Sequence, residues 1–169
     1  MLTFLKVLWK NVLDGPATEP FPFGETHTPK RLRGKAHIDA SKCTGCGTCK
    51  SVCAGGAIRL QAREDGTGIN FYLWHNSCSF CGYCEMFCPT GAITLSTDWS
   101  TAHLNSEKYD YKETEFIPYQ HCVECDAPMP RLPESLISDL YGEPNEEIRT
   151  LYTLCPECRR KKAAMQMGV

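Results

Sequence analysis

Twelve cysteines in a chain of 169 residues constrain this fold more than any other feature, because all of them lie in C-x2-C runs or directly close one. Cys43, Cys46 and Cys49 are followed by Cys53, and Cys78, Cys81 and Cys84 by Cys88; Cys122 goes with Cys125 and Cys155 with Cys158. A disulfide scaffold has no reason to set thiols two residues apart. A metal centre does, since one short turn then aims two sulfurs at a common point. The N-terminal stretch is interrupted by Lys6 and Lys10 and lacks a small-residue cleavage site, so it does not read as a secretory signal. The implied compartment is reducing.

Composition narrows the classes further. Hydrophobic residues at 42% and charged residues at 22% are those of a folded chain. Eighteen Lys and Arg against twenty Asp and Glu leave a formal charge of -2, which argues against a nucleic-acid binder. No apolar run is long enough for a membrane-spanning helix.

The first eight cysteines lie in an internal repeat. CTGCGTCKSVCAGGAI (43–58) aligns with CSFCGYCEMFCPTGAI (78–93) at an offset of 35 residues, with eight of sixteen positions identical. Each copy is C-x2-C-x2-C-x3-C, the bacterial run for [4Fe–4S] clusters in which the fourth cysteine ligates the other cluster. Three thiolates on one tight loop cap three irons, and the fourth, past a short helical turn, points away. The expected ligand sets are therefore Cys43, Cys46, Cys49 and Cys88 for one cluster, and Cys53, Cys78, Cys81 and Cys84 for the other. Such crossing staples two halves that are too small to be stable alone. Gly45, Gly47, Thr48 and Gly82 suit loops that approach cluster sulfides closely. Phe80, Tyr83 and Phe87 surround the second run, either as apolar cover that separates the two potentials or as ordinary core. Pro89 follows Cys88, but Ala54 follows Cys53, which loosens that turn without removing a ligand.

Residues 36–97 resemble a two-cluster bacterial ferredoxin. That resemblance implies an α+β fold of two pseudo-symmetric halves, carrying electrons one at a time and binding no substrate. Within it, Ile38 and Leu73 mark two short strands, and EDGTG between 58–62 and 69–72 signals a hairpin.

Cys122-Val-Glu-Cys125 and Cys155-Pro-Glu-Cys158 form a second constellation, separated by 29 residues. Two facing knuckles give tetrahedral four-sulfur ligation, which accepts structural zinc or a rubredoxin-like mononuclear iron; zinc is the commoner. A third iron–sulfur cluster lacks its three-cysteine run. Helices are expected near Leu132–Tyr141 and from about Cys158. His121 is an outer-shell donor or spare ligand, and Arg159, Arg160, Lys161 and Lys162 read as a solvated helix face. There is no separate nucleophile arrangement and no Gly-rich phosphate loop, so the chain shows no active site of its own.

Four segments follow: residues 1–35, an amphipathic helix and proline-rich strap; 36–97, the two-cluster domain; 98–120, a connector; and 121–169, the four-cysteine extension. Leu2, Leu5, Leu8, Trp9 and Val12 recur at helical spacing, which suits an interfacial helix lying on a membrane surface or partner. With Pro20-Phe21-Pro22 and Arg33-Gly34-Lys35, the chain resembles the two-cluster subunit of respiratory complex I and of energy-converting hydrogenases. With the added CVEC and CPEC it resembles the ferredoxin-type component of formate hydrogenlyase and its membrane-bound [NiFe] hydrogenase relatives. That resemblance implies an electron relay on the inner, cytoplasmic face of the cell membrane. Its partners would be the [NiFe] hydrogenase small and large subunits, an electron-input iron–sulfur subunit, and membrane subunits reached through the N-terminal helix. The alternatives are a complex I-type NADH:quinone oxidoreductase subunit and a soluble ferredoxin with an appended four-cysteine site. With two clusters and one metal in the four-cysteine site the charge would fall to about -8.

Overall fold

The computed structural model describes residues 2–167 and divides into two units, residues 1–32 and 33–169. In the first unit, α1 (Leu2–Asp14) is a continuous helix. Met1, counted into this helix from the sequence, lies outside the described residues. Leu and Lys favour the helix, and Gly15 at φ 73° followed by Pro16 stops it. Phe4, Leu5, Val7, Leu8, Trp9, Val12 and Leu13 are all exposed. The prolines that follow hold an irregular path with two tight turns, where Phe23 N donates to Pro20 O at 2.8 Å and Leu32 N to Pro29 O at 3.0 Å. Among the described residues, no helix is long and apolar enough to cross a membrane.

The second unit is built on two antiparallel sheets. β1 (Ala36–Ile38) pairs with β4 (Ile93–Leu95), and a four-stranded sheet runs in the order β2 (Ile58–Ala62), β3 (Gly68–Trp74), β5 (Lys112–His121), β6 (Pro128–Pro130). The β2–β3 connection is the expected hairpin. Asp65 Oδ1 accepts from Thr67 N at 3.0 Å and Oγ1 at 2.7 Å, and Arg63 N donates to Gly68 O. On β3, Ile69, Phe71 and Leu73 alternate inward and join Ile58, Ile93 and Ile117 in one core. Two helices of a single turn, α2 (Thr48–Ser51) and α3 (Tyr83–Met86), lie beside that core and bury Cys49 and Cys84.

The strand pairing interlocks the two repeats. By the 35-residue offset β1 corresponds to β3, and β2 to β4. Yet β1 pairs with β4 and β2 with β3, so every strand finds its partner in the other copy. Neither copy can complete its backbone hydrogen bonds alone.

Residues 98–120, read from the sequence as a connector, supply all but the last residue of the longest strand among the described residues. β5 pairs along the whole of β3, with Leu73 opposite Glu113, Phe71 opposite Glu115 and Ile69 opposite Ile117. Its core-side residues thus include two carboxylates, which hides the apolar alternation that marks a strand. Glu113 is satisfied there: Oε1 accepts from Ile38 N and Oε2 meets His37 Nδ1, both at 2.9 Å, so β5 also secures β1.

Beyond β5 the chain forms α4 (Glu134–Tyr141), α5 (Glu146–Tyr152) and α6 (Pro156–Gln166). The helix expected near 132–141 starts after Pro133, and Gly142 at φ 67° closes it. α6 begins two residues before the expected start, since Pro156 sits at a position where no amide is needed. α5 is not among the expected helices. Its signal is Asn145, whose Oδ1 accepts from Ile148 N at 2.9 Å ahead of Glu146 and Glu147. A second, small core of Cys122, Met129, Leu154, Cys155 and Cys158 holds this region.

Candidate iron–sulfur and four-cysteine metal centres

Two cavities open on opposite copies of the repeat. Cys43, Cys46, Cys49 and Cys88 line one, together with Leu60, Pro89 and Ile93. Cys53, Cys78, Cys81 and Cys84 line the other, with Leu73, Phe80 and Leu95. Each cavity therefore receives three cysteines from one run and the last cysteine of the other. Two of the three arrive on the loop leading into a one-turn helix, and the third sits in that helix. The fourth arrives from the far end of the partner copy's helix, carried across by the strand exchange.

The backbone donors of the loops match at the 35-residue offset. Gly45 N donates to Cys43 Sγ at 3.4 Å and Phe80 N to Cys78 Sγ at 3.5 Å. Ala57 N donates to Cys53 Sγ and Ala92 N to Cys88 Sγ, both at 3.2 Å. Gly47 and Gly82 precede α2 and α3 with φ of 79° and 84°, a left-handed backbone that glycine adopts without a Cβ clash. Amides directed at sulfur are what a cluster thiolate requires, because they stabilise negative charge where water is excluded. The turn after Cys53 is not looser for want of a proline. Gly56 N reaches Cys53 O at 3.2 Å, against 3.4 Å for Gly91 N to Cys88 O, so a backbone hydrogen bond closes both turns.

Burial dominates the acidity of the inward thiols. It pushes Cys49 up to about 12 and Cys84 up to about 11, and it raises Cys43 and Cys78 as well. Burial also opposes ionisation of Cys46 and Cys88, but the hydroxyls and amides of Thr48 and Thr90 outweigh it and both thiols lie below the usual value. A site holding four thiolates is thus stable only with compensating cationic charge at its centre, which iron supplies. The donor set, the amides and the enclosing apolar side chains fit a [4Fe–4S] group in both cavities.

The aromatics of the second run divide. Phe80 is half-buried at its cavity, whereas Tyr83 and Phe87 are exposed and meet edge to face with centroids 6.1 Å apart. These two are not core.

The remaining cysteines converge. The Sγ atoms of Cys122, Cys125, Cys155 and Cys158 all lie within 4.8 Å of one another, and Cys125 Sγ is 3.6 Å from Cys155 Sγ. Bonds of about 2.3 Å to a tetrahedral ion set sulfurs about 3.8 Å apart, so the spacing suits one metal. The second knuckle turns two amides toward sulfur: Cys155 N donates to Cys122 Sγ at 3.3 Å, and Cys158 N to Cys155 Sγ at 3.5 Å. The Cys155 amide, foremost, holds the Cys122 thiol down to about 6, leaving a thiolate ready for a cation. His121 does not join the set. Its Nδ1 bonds Asp126 O at 2.9 Å, bracing the first knuckle from outside. Of the basic run, Arg159 Nε donates to Leu154 O at 2.8 Å, while Arg160 and Lys161 face solvent.

These paired loops are those of a two-cluster iron–sulfur protein, and the family model described as a 4Fe-4S dicluster domain matches residues 42–93. The chain is 32% identical to formate hydrogenlyase subunit 6 of Escherichia coli (strain K12) across 96% of its own length and 90% of that protein's, and it belongs to the family of that protein. It is also 35% identical to F(420)H(2) dehydrogenase subunit I of Methanosarcina mazei, over 36% of this chain and 34% of that one. Among solved structures, a chain of the membrane-bound sulfane sulfur reductase, an archaeal respiratory membrane complex, aligns with a TM-score of 0.45 and 19% identity over 83% of this chain and 69% of that one.

Proposed function

We propose that this chain is the electron-relay subunit of a membrane-associated oxidoreductase of the formate hydrogenlyase type, with two [4Fe–4S] clusters held by crossed ligation. Cys43, Cys46, Cys49 and Cys88 hold one, and Cys53, Cys78, Cys81 and Cys84 the other. The observation that carries the reading is the grouping of three cysteines from one run with the last cysteine of the other around each cavity. When bound, each cluster supplies a site for one electron. The protein's part is to exclude water with Leu73, Phe80, Leu60 and Ile93, to direct amides at the sulfurs, and to keep the two sites fixed in one core. Electron tunnelling weakens steeply with distance, so two fixed sites in series connect faces that one could not.

The four-cysteine site would hold zinc as a structural staple for a region whose own core is five residues deep. The partners would be the [NiFe] hydrogenase small and large subunits and an electron-input iron–sulfur subunit. The exposed apolar residues of α1, with Lys6 and Lys10 among them, suit an interfacial contact with membrane or membrane subunits on the inner face of the cell membrane. Anaerobic preparation and iron analysis test the reading. About eight cluster irons per chain, with two interacting reduced clusters seen by electron paramagnetic resonance after dithionite, are expected. A silent spectrum from a folded chain containing only zinc would overturn it.

A further inference from the structure

The two cluster sites are matched in their backbone donors but not in their hydroxyl donors. Thr44 and Ser79 correspond by the 35-residue offset, and their hydroxyls serve Cys46 and Cys81 alike. That pair cancels, as do the amides described above. Two hydroxyls remain without counterparts. Thr48 Oγ1 lies 3.4 Å from Cys46 Sγ, and Thr90 Oγ1 lies 3.6 Å from Cys88 Sγ. At the corresponding positions the second site has Tyr83, whose ring is exposed, and Gly55. Gly55 is not free to become threonine: a Cβ there would collide with the carbonyl oxygen of Ser77, in the loop leading into the second run. The fold therefore enforces the difference at this second position.

Resting on the cluster reading above, we propose that Thr48 and Thr90 set the order of reduction, so that the site of Cys43, Cys46, Cys49 and Cys88 accepts an electron before the site of Cys53, Cys78, Cys81 and Cys84. Reduction adds one electron and no proton, and no bond forms or breaks. The added charge spreads onto the thiolates, so donation to Cys46 and Cys88 is stronger in the reduced form than in the oxidised form. Arg33 acts against it. Its Nη1 donates to Cys81 O at 2.7 Å and its charge favours electrons at the second site, but the guanidinium is exposed and screened by water.

The test is a potentiometric titration of the whole chain with dithionite, followed by electron paramagnetic resonance, with iron counted for each variant. Thr48→Val with Thr90→Val should lower the higher of the two potentials by about tenfold in reduced-to-oxidised ratio, about 59 mV for one electron, and leave the lower one in place. Ser79→Ala should lower only the other. Thr→Ser at both positions should restore the wild-type order. Should the valine variant fail to hold iron, Tyr83→Thr gives the reciprocal reading, raising the lower potential and narrowing the gap. If the valine variant moves the lower potential or neither, or if Tyr83→Thr leaves the gap unchanged, the proposal falls. An iron count far below eight in the wild-type chain would instead overturn the cluster reading itself.

Discussion

Truncating Ile117 to alanine isolates the part played by β5 in holding the clusters. Ile117 is 2% exposed and lies opposite Ile69, on the face of the sheet that closes over the cluster loops. Removing its outer carbons leaves a cavity in a core that cannot collapse, because cluster loops and a paired strand fix both sides. The loss should be about 3 kcal/mol, roughly a hundredfold in the folding equilibrium. Phe116 is the internal control. It is the next residue on the opposite face, 40% exposed, with the Arg63 guanidinium 5.2 Å from its ring. Its truncation should cost about 1 kcal/mol. Cluster loss makes unfolding irreversible, so the quantity to compare is a rate. After an anaerobic jump into guanidinium, the visible absorbance of the clusters should bleach about tenfold or more faster in Ile117→Ala than in Phe116→Ala. Rates within about threefold of each other would refute the claim that β5 completes the ferredoxin core.

Three further outcomes follow from the geometry. Cys88→Ser should perturb the magnetic signal of the cluster held by Cys43, Cys46 and Cys49 and leave the other intact; the reverse would refute crossed ligation. Burial holds Cys49 near 12 and Cys84 near 11, so protons compete with iron at both thiols and lose as pH rises. Cluster retention against a chelator should therefore strengthen from pH 6 to 9, by about tenfold per unit for each such thiol, and a flat profile would contradict the assignment. Cys125→Ser should abolish the metal proposed for the C-terminal site, expected as zinc by mass spectrometry of the wild-type chain, and unfold residues 121–167 while the visible absorbance of the clusters persists.

What can be read along the chain is the local chemistry. A C-x2-C step fixes its own turn, so Cys43 to Cys49 and Cys78 to Cys84 announce their loops without reference to anything distant. The hairpin at Asp65 and the stop at Gly15 are equally local. The C-terminal site is legible as two knuckles, although only the fold brings Cys125 Sγ within 3.6 Å of Cys155 Sγ across their 29 intervening residues. α5 escapes a reading of the sequence because its signal is a single capping asparagine rather than an apolar period.

β5 shows where sequence reading stops. Its core-side positions include Glu113 and Glu115, and a carboxylate on a buried face reads as solvent-facing until its partners are known. For Glu113 those partners are the Ile38 amide and the His37 ring, some 75 residues away in the chain. Which atoms can bind metal is legible along the chain, because ligand spacing is set by short-range backbone geometry. The grouping of the cluster sulfurs is already expected from the two runs; which strand closes the core, and why one site carries two more hydroxyls than the other, come from the packed fold. The last two depend on contacts between residues distant in the chain, and no local pattern records them.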